Sequence, residues 1–382
     1  MLENNMPLSY PQKPFRFFLA ISPGLEAIVA SELQSHISDV KLVKMHVETG
    51  GVSFRVPLEE GIALLQRLRT PSKMFMRLSM KKTTSISDIS TLINNANIQE
   101  LLNPNTPCQI KVHSHKSKLH RKDIVEQKAL RVMTGILGKA QHEDHRLTQQ
   151  LQIRIDRDLA TLSIQVHSGN LYQRGWRIQQ GKASLRENLA SVLLHVIKWQ
   201  PHQTLLDPFC GSGTIAIEAA RIQTGLQTRL EQEENWNQWI PFLQQKKPSS
   251  TKMTKMMACQ NIFASDKHPQ AINNCNKNAD FAHVSFSIEN RDVNSIEPPT
   301  STGVIVCNPP YGLRLGQNVD AVYRCLGERW RESFCSTNGG WRVVFLSPNL
   351  RLARLVDKRV QSAYQFSQGG LNVHICTLHQ DS

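Results

Sequence analysis

Apolar and polar positions alternate in two different rhythms along the 382 residues, and the change of rhythm divides the chain. A short apolar run spans Phe15 to Ala20, and Gly24-Leu25-Glu26-Ala27-Ile28-Val29 opens a helical pattern that continues to about Leu33. After the Gly50-Gly51 turn, Val52-Ser53-Phe54-Arg55-Val56 alternates as a strand does. Apolar residues recur at helical spacing from Ile62 to Leu68, and Met74 to Leu78 reads as a further strand. Beyond residue 108 the pattern predicts a strand from Gln109 to His113, a basic loop, a helix beginning near Asp123, and alternating strands over Leu151–Ile155 and Ala160–Val166. The first half is therefore expected to be α+β.

After residue 187 the order becomes helix, apolar strand, glycine-rich turn and helix, with strands near 204, 262, 303 and 343. Continuous apolar strands alternating with helices predict a parallel α/β sheet. A domain boundary is expected between 170 and 185, and the polar stretch 223–255 is expected to be an insertion, partly disordered. A chain of this length exceeds one ordinary core, so more than one domain is expected.

Composition narrows the class without naming a function. Lys and Arg total 45 against 31 Asp and Glu, a net charge of +14, which favours a polyanionic partner. The eight cysteines are scattered without a C-x-x-C pair, which suggests neither a zinc site nor a disulfide framework. His142-Glu143-Asp144-His145 reads as a polar helix face, so no metal is expected. With no signal layout and no long apolar run, the chain is expected to be cytoplasmic and free of membrane.

Chemistry first appears in Leu205-Leu206-Asp207-Pro208-Phe209-Cys210-Gly211-Ser212-Gly213-Thr214, where two glycines join an apolar strand to a helix. Glycines there allow a tight turn and close approach of a ligand to the backbone. No lysine follows Gly213, which excludes a P-loop, and the dinucleotide fingerprint lacks its third glycine. Asp207 at the strand end suits a ligand carrying an amino group, as S-adenosylmethionine does. Asp266 and Asp292 follow the next two strands, where they could bind ribose hydroxyls and the adenine amine. Phe209, Gly211, Gly213 and Thr214 complete the candidate cofactor site.

The strand Gly303-Val304-Ile305-Val306-Cys307 then ends in Asn308-Pro309-Pro310-Tyr311-Gly312. Two prolines fix the backbone and remove amide donors, leaving carbonyl oxygens to face the site. The Asn308 side-chain oxygen and the Pro309 carbonyl can accept both N–H groups of a planar amine, and Tyr311 offers a face for a base. Asn308, Pro309, Pro310 and Tyr311 are the candidate catalytic residues, with Asn308 also facing the cofactor.

These motifs resemble the bacterial THUMP-domain RNA guanine-N2 methyltransferases, in particular the RlmL-type large-subunit rRNA enzymes, whose fused forms carry such a chain as their N-terminal half. The likeness covers nearly the whole chain and includes Leu171-Tyr172-Gln173-Arg174-Gly175-Trp176-Arg177 and Leu185-Arg186-Glu187-Asn188-Leu189-Ala190, with His115-Lys116-Ser117-Lys118-Leu119-His120 similar to the basic THUMP loop. It implies that Arg186 and Asn188 close over the methionine end of the cofactor. It also implies RNA contacts from Lys116, Lys118, His120, Arg121, Lys122, Arg174 and Arg177. Ser184 and Leu313 depart from the family's proline and glutamate, the second beside the reactive centre.

The expected architecture is a Rossmann-like methyltransferase domain over 186–382, preceded by a ferredoxin-like domain (1–65), a THUMP domain (66–168) and a linker (169–185). The expected activity is methyl transfer from S-adenosylmethionine to guanine N2 of a structured RNA, 23S rRNA before tRNA. The same tetrapeptide logic also accepts adenine N6 in DNA or a protein glutamine, and a non-catalytic RNA-binding assembly factor is a further alternative.

Overall fold

A computed structural model describes residues 14–36, 44–102, 104, 107–138, 149–167, 169–181, 184–228, 255–312, 318–335 and 340–379. Among these residues the strands form two seven-stranded sheets.

The first sheet contains β1 (Phe15–Ala20), β2 (Lys44–Glu48), β3 (Gly51–Val56), β4 (Lys73–Lys82), β5 (Cys108–His115), β6 (Gln149–Asp156) and β7 (Leu159–Gln165). Its order is β2-β3-β1-β4-β7-β6-β5, so the two expected α+β units share one continuous sheet through β4, which pairs with both β1 and β7. Alternation decides its faces: in β5, Ile110 and Val112 are buried while Lys111 and His113 are exposed. The helices α1 (Glu26–Ser35), α2 (Leu58–Ala63), α3 (Asp88–Asn94), α4 (Ile98–Leu101) and α5 (Lys122–Leu137) accompany it, with α1 packed on β3, α2 on β1, α3 on β4 and α5 on β5. The helical spacing read over Ile62–Leu68 resolves into α2, starting earlier at Leu58, and a tighter turn over Leu64–Gln66.

The second sheet contains β8 (Leu205–Asp207), β9 (Met257–Asp266), β10 (Val284–Asn290), β11 (Gly303–Cys307), β12 (Trp341–Ser347), β13 (Gln361–Gln368) and β14 (Leu371–His379), in the order β10-β9-β8-β11-β12-β14-β13. Five of these strands run parallel, as the apolar rhythm predicts. The wholly parallel expectation needs one correction, because β14 pairs antiparallel with both β12 and β13. Polar residues dominate Gln361-Ser362-Ala363-Tyr364-Gln365, an edge-strand composition that hides the hairpin from an apolar reading. Helices α6 (Glu187–Val196), α7 (Thr214–Gln223), α8 (Pro269–Phe281), α9 (Val319–Arg329) and α10 (Leu350–Val356) complete this half. Both faces of β11 are covered: Val304 and Val306 enter one core, Ile305 and Cys307 the other.

The two halves share the first of these cores, which runs from Phe17 to Ile375. Polar contacts reinforce the junction. The Asn188 side-chain amide donates to the Thr70 carbonyl at 3.1 Å, and Thr228 donates its amide and hydroxyl to the Gln66 carbonyl at 3.1 and 2.8 Å. The polar stretch 223–255 lies mostly outside the described residues, as do His142–His145 and Leu313.

Candidate active site

Sheet order places the chemistry. The strand order reverses between β8 and β11, which are hydrogen-bonded neighbours, and ligands of open α/β sheets bind at the carboxyl ends flanking such a reversal. Ile305 lies opposite Leu206, so one further step along this register sets Val306 beside Asp207, and Asn308 follows two residues later. Asp207 in turn lies opposite Ala264, two residues before Asp266, and Asp266 lies opposite Asn290, two residues before Asp292. Four segments remote in sequence thus reach one edge.

Hydrogen bonds knit that edge together. The Gly211 amide donates to Asp266 Oδ2 at 3.1 Å, and the His268 backbone amide donates to Asp266 Oδ1 at 2.9 Å. The Phe209 amide donates to Asp207 Oδ1 at 3.1 Å, while Asp292 Oδ1 caps the short turn Val293–Ser295 through the Asn294 amide at 2.9 Å. Burial pushes the Asp207 carboxyl well above its ordinary range, opposed by the Phe209 amide and reinforced by the negative charge of Asp266. A cationic ligand would offset that cost.

Gly211 and Gly213 act differently. Gly213 has φ +88° and a Cβ there would lie 2.6 Å from Cys275 Sγ, so close packing against α8 excludes a side chain. Gly211 has φ +53°, and its Cβ would meet nothing within 4 Å. Open space above an inward-facing amide turn, rimmed by two carboxylates, is a cradle that suits a nucleoside bearing an amino group.

At the end of β11, Asn308 is half-buried and its Oδ1 is buried without a hydrogen-bond partner among the described residues. Most such atoms in folded proteins are satisfied, so this one requires an explanation. Pro309 is buried beside it, and Tyr311 is half-buried against the shared core. Burial, with a smaller contribution from Cys376, pushes the Tyr311 hydroxyl upward, so it stays protonated near neutral pH. Tyr311 can offer a ring and a neutral hydroxyl, but no base.

Arg174 and Arg177, expected to meet RNA, require correction. Arg174 is 1% exposed, donates to the Leu171 and Arg69 carbonyls, and stands 3.6 Å from Glu218. Arg177 pairs with Glu187 at 2.9 Å and donates to Ser212 Oγ at 3.2 Å, Thr214 Oγ1 at 2.9 Å and the Leu185 carbonyl at 2.8 Å. It braces the glycine-rich loop from beneath. Both charges are neutralised inside the protein, and an unpaired buried cation would be too costly to keep.

The other residues divide between surface and interior. Lys116, Lys118, His120, Arg121 and Lys122 are exposed, with Arg121 paired to Asp123 at 2.8 Å. Arg186 is exposed, its guanidinium 5.1 Å from the Tyr172 ring centre. Asn188 is buried and spends its amide on Thr70, leaving its Oδ1 without a partner among the described residues. Glu187 and Glu218 were missed as site supports. The available signal was Glu218 within Ala216-Ile217-Glu218-Ala219-Ala220, a lone charge between apolar residues on a helix.

The family model UPF0020, RMKL-like methyltransferase domain, matches residues 174–377. The chain belongs to this methyltransferase family. A Synechocystis protein provisionally named an RNA methyltransferase is 27% identical, over 95% of each chain. A Shewanella amazonensis protein named ribosomal RNA large subunit methyltransferase K/L is 27% identical over 96% of this chain, which spans only 54% of that protein's length. The solved structure of SMU.472, complexed with SAH, superposes with a TM-score of 0.78 at 20% identity, covering 96% of this chain and 98% of its own, and so shares the fold. As an RMKL-like methyltransferase the chain uses S-adenosylmethionine, which the edge fits through Asp207, the Phe209–Thr214 loop and Asp266.

Among the described residues, no helix is long and apolar enough to cross a membrane and no His, Cys, Asp or Glu cluster could hold a metal ion.

Proposed function

We propose that this methyltransferase modifies the exocyclic N2 of a guanine in RNA, with 23S rRNA as the preferred substrate and tRNA as the alternative. The buried, unpartnered Oδ1 of Asn308 at the switch point carries this reading, because an amine N–H is the donor that would satisfy it. S-adenosylmethionine supplies an electrophilic methyl group on a positively charged sulfur. Asn308 Oδ1 and the Pro309 carbonyl would accept the two amine hydrogens and so aim the nitrogen lone pair; as the N–C bond forms and the C–S bond breaks, S-adenosylhomocysteine would leave and the methylated amine would lose its extra proton to water. Pro310 withholds a competing amide donor, and Tyr311 supports the base by stacking, worth about 1–3 kcal/mol. Because Tyr311 stays protonated, rate comes from alignment rather than from proton removal by its phenol. A paired guanine must first leave its stack.

A polyanionic substrate is supported by the net charge of +14 and by the basic segment 111–131, and RNA rather than DNA by the names of the Synechocystis and Shewanella relatives. The first sheet with its helices is read as a ferredoxin-like unit (1–65) and a THUMP unit (66–168) that deliver the RNA, joined by the linker 169–185 to the catalytic domain. Labelled S-adenosylmethionine offered with rRNA, tRNA, DNA and ribosomal protein tests this reading. Label in RNA is expected, with rRNA ahead of tRNA. Label confined to DNA or protein would overturn it.

A further inference from the structure

Strand register assembles a row of cations that the sequence keeps apart. Lys44 lies opposite Arg55, Arg55 opposite Arg16, and Arg16 opposite Arg77, on four adjacent strands of the first sheet. The row continues through Ser163 and Gln152 to Lys111 on the far edge, so seven residues cross the whole sheet on one face. At about 4.8 Å per strand the row is roughly 29 Å long. Arg154, one alternation step from Gln152 on the same face, adds another exposed cation.

The helices pack on the opposite face, where Phe17, Phe54, Met76, Ile164, Ile153 and Val112 enter the core. The row therefore lies on the face opposite the helices, where Lys44, Arg55 and Lys111 are exposed while Ser163 and the Arg77 side chain are buried. Lys44 and Arg55 are exposed and take part in no ion pair among the described residues. Glu48 is the acid within reach, held by Arg77 at 2.7 Å, and Arg77 also lies 4.3 Å from the Phe18 ring centre. One carboxylate stands against four neighbouring cations.

Like charges directly opposite on adjacent strands destabilise a sheet. Arg16 registers the strain: burial, then Arg77 and Arg55, depress its basicity against the pull of Glu48. Four successive strands contributing cations to one row is a cost to folding that a polyanion would reverse, and arginine forks suit phosphate oxygens.

We propose that the helix-free face of the first sheet, along Lys44, Arg55 and Arg16, is a docking surface for the phosphate backbone of the RNA substrate. The surface is distinct from the exposed 116–122 segment and rests on the RNA reading above. Phosphate contacts fix position without reading sequence, so the row orients the RNA while the Asn308 edge selects the base.

The test is the R16Q/R55Q double variant, with binding of purified large-subunit rRNA measured across a salt series and SAH binding measured by calorimetry. Weaker RNA binding and a logarithmic salt slope shallower by about two are expected, since each lost phosphate contact removes roughly one. SAH affinity should stay unchanged, and thermal stability should hold or rise as repulsion is relieved. An unchanged salt slope with intact SAH binding would overturn the docking surface while leaving the RNA reading standing. A wild-type protein that binds no RNA would overturn both.

Discussion

Replacing Asn308 by alanine is expected to lower methyl transfer by about 10²–10³-fold while leaving SAH affinity within about twofold of wild type. The side-chain oxygen is buried and unpartnered in the protein alone, so its removal costs the fold little and costs the reacting amine its acceptor. Losing one preorganised hydrogen-bonding group that aligns a reacting atom typically lowers kcat by about 10²–10³. The contrasting variant is Gly211→Val, which puts a branched side chain at φ +53° into open space above the loop. That change should weaken SAH binding first and transfer as a consequence. Calorimetry with SAH and single-turnover transfer to RNA separate the two. Equal loss of transfer and cofactor affinity in Asn308→Ala would show that Asn308 holds the cofactor rather than the amine.

The largest effect on stability is expected from Glu218→Ala. Glu218 is fully buried on α7, immediately behind the glycine-rich loop. Its carboxylate meets Arg69 at 3.5 Å, Arg174 at 3.6 Å, the Trp176 ring nitrogen at 3.3 Å and the Ser191 hydroxyl at 2.9 Å. Arg69 comes from the first half, Arg174 and Trp176 from the linker, and Ser191 from α6, so one carboxylate joins every part of the junction. Removing it strands buried guanidinium groups without a counter-charge, a loss of about 3–5 kcal/mol. Denaturant unfolding should show a fall of that size. A loss under about 1 kcal/mol would mean that the arginines find other partners or water.

Glu218 also sets a pH dependence. Burial pushes its carboxyl up, but Arg174 and Arg69, then Ser191 and Arg221, more than reverse this and hold it below its ordinary value. A depressed carboxyl contributes stability above the unfolded glutamate pKa of about 4.3, and loses it as pH falls through the lower folded value. Glu218→Gln should flatten that acid-side loss.

The cofactor and reactive motifs were legible because each sits at the end of an apolar strand, where local sequence dictates both the turn and its chemistry. Asp207-Pro208-Phe209-Cys210-Gly211 and Asn308-Pro309-Pro310-Tyr311 need no distant information to be recognised, and sheet order then brings them side by side. Arg174 and Arg177 misled because charge ordinarily means surface, while Glu218 lies 44 residues from Arg174 and nothing local announces the pair. The edge strand β13 was missed for a related reason, since it carries polar residues on both faces, while β2 is only five residues long with Met45 and Val47 as its apolar positions. The cation row was invisible in principle: Arg16, Lys44, Arg55 and Arg77 acquire a common face only through strand register.

The central claim is that the Asn308 edge methylates the N2 amine of guanine in RNA. The most direct measurement is mass-spectrometric identification of modified nucleosides in rRNA digested after incubation with the protein and S-adenosylmethionine. N2-methylguanosine is expected with the wild-type protein and reduced to trace levels with Asn308→Ala. Methylation at adenine N6, or at a ring carbon or ribose oxygen with N2 of guanine untouched, would contradict it.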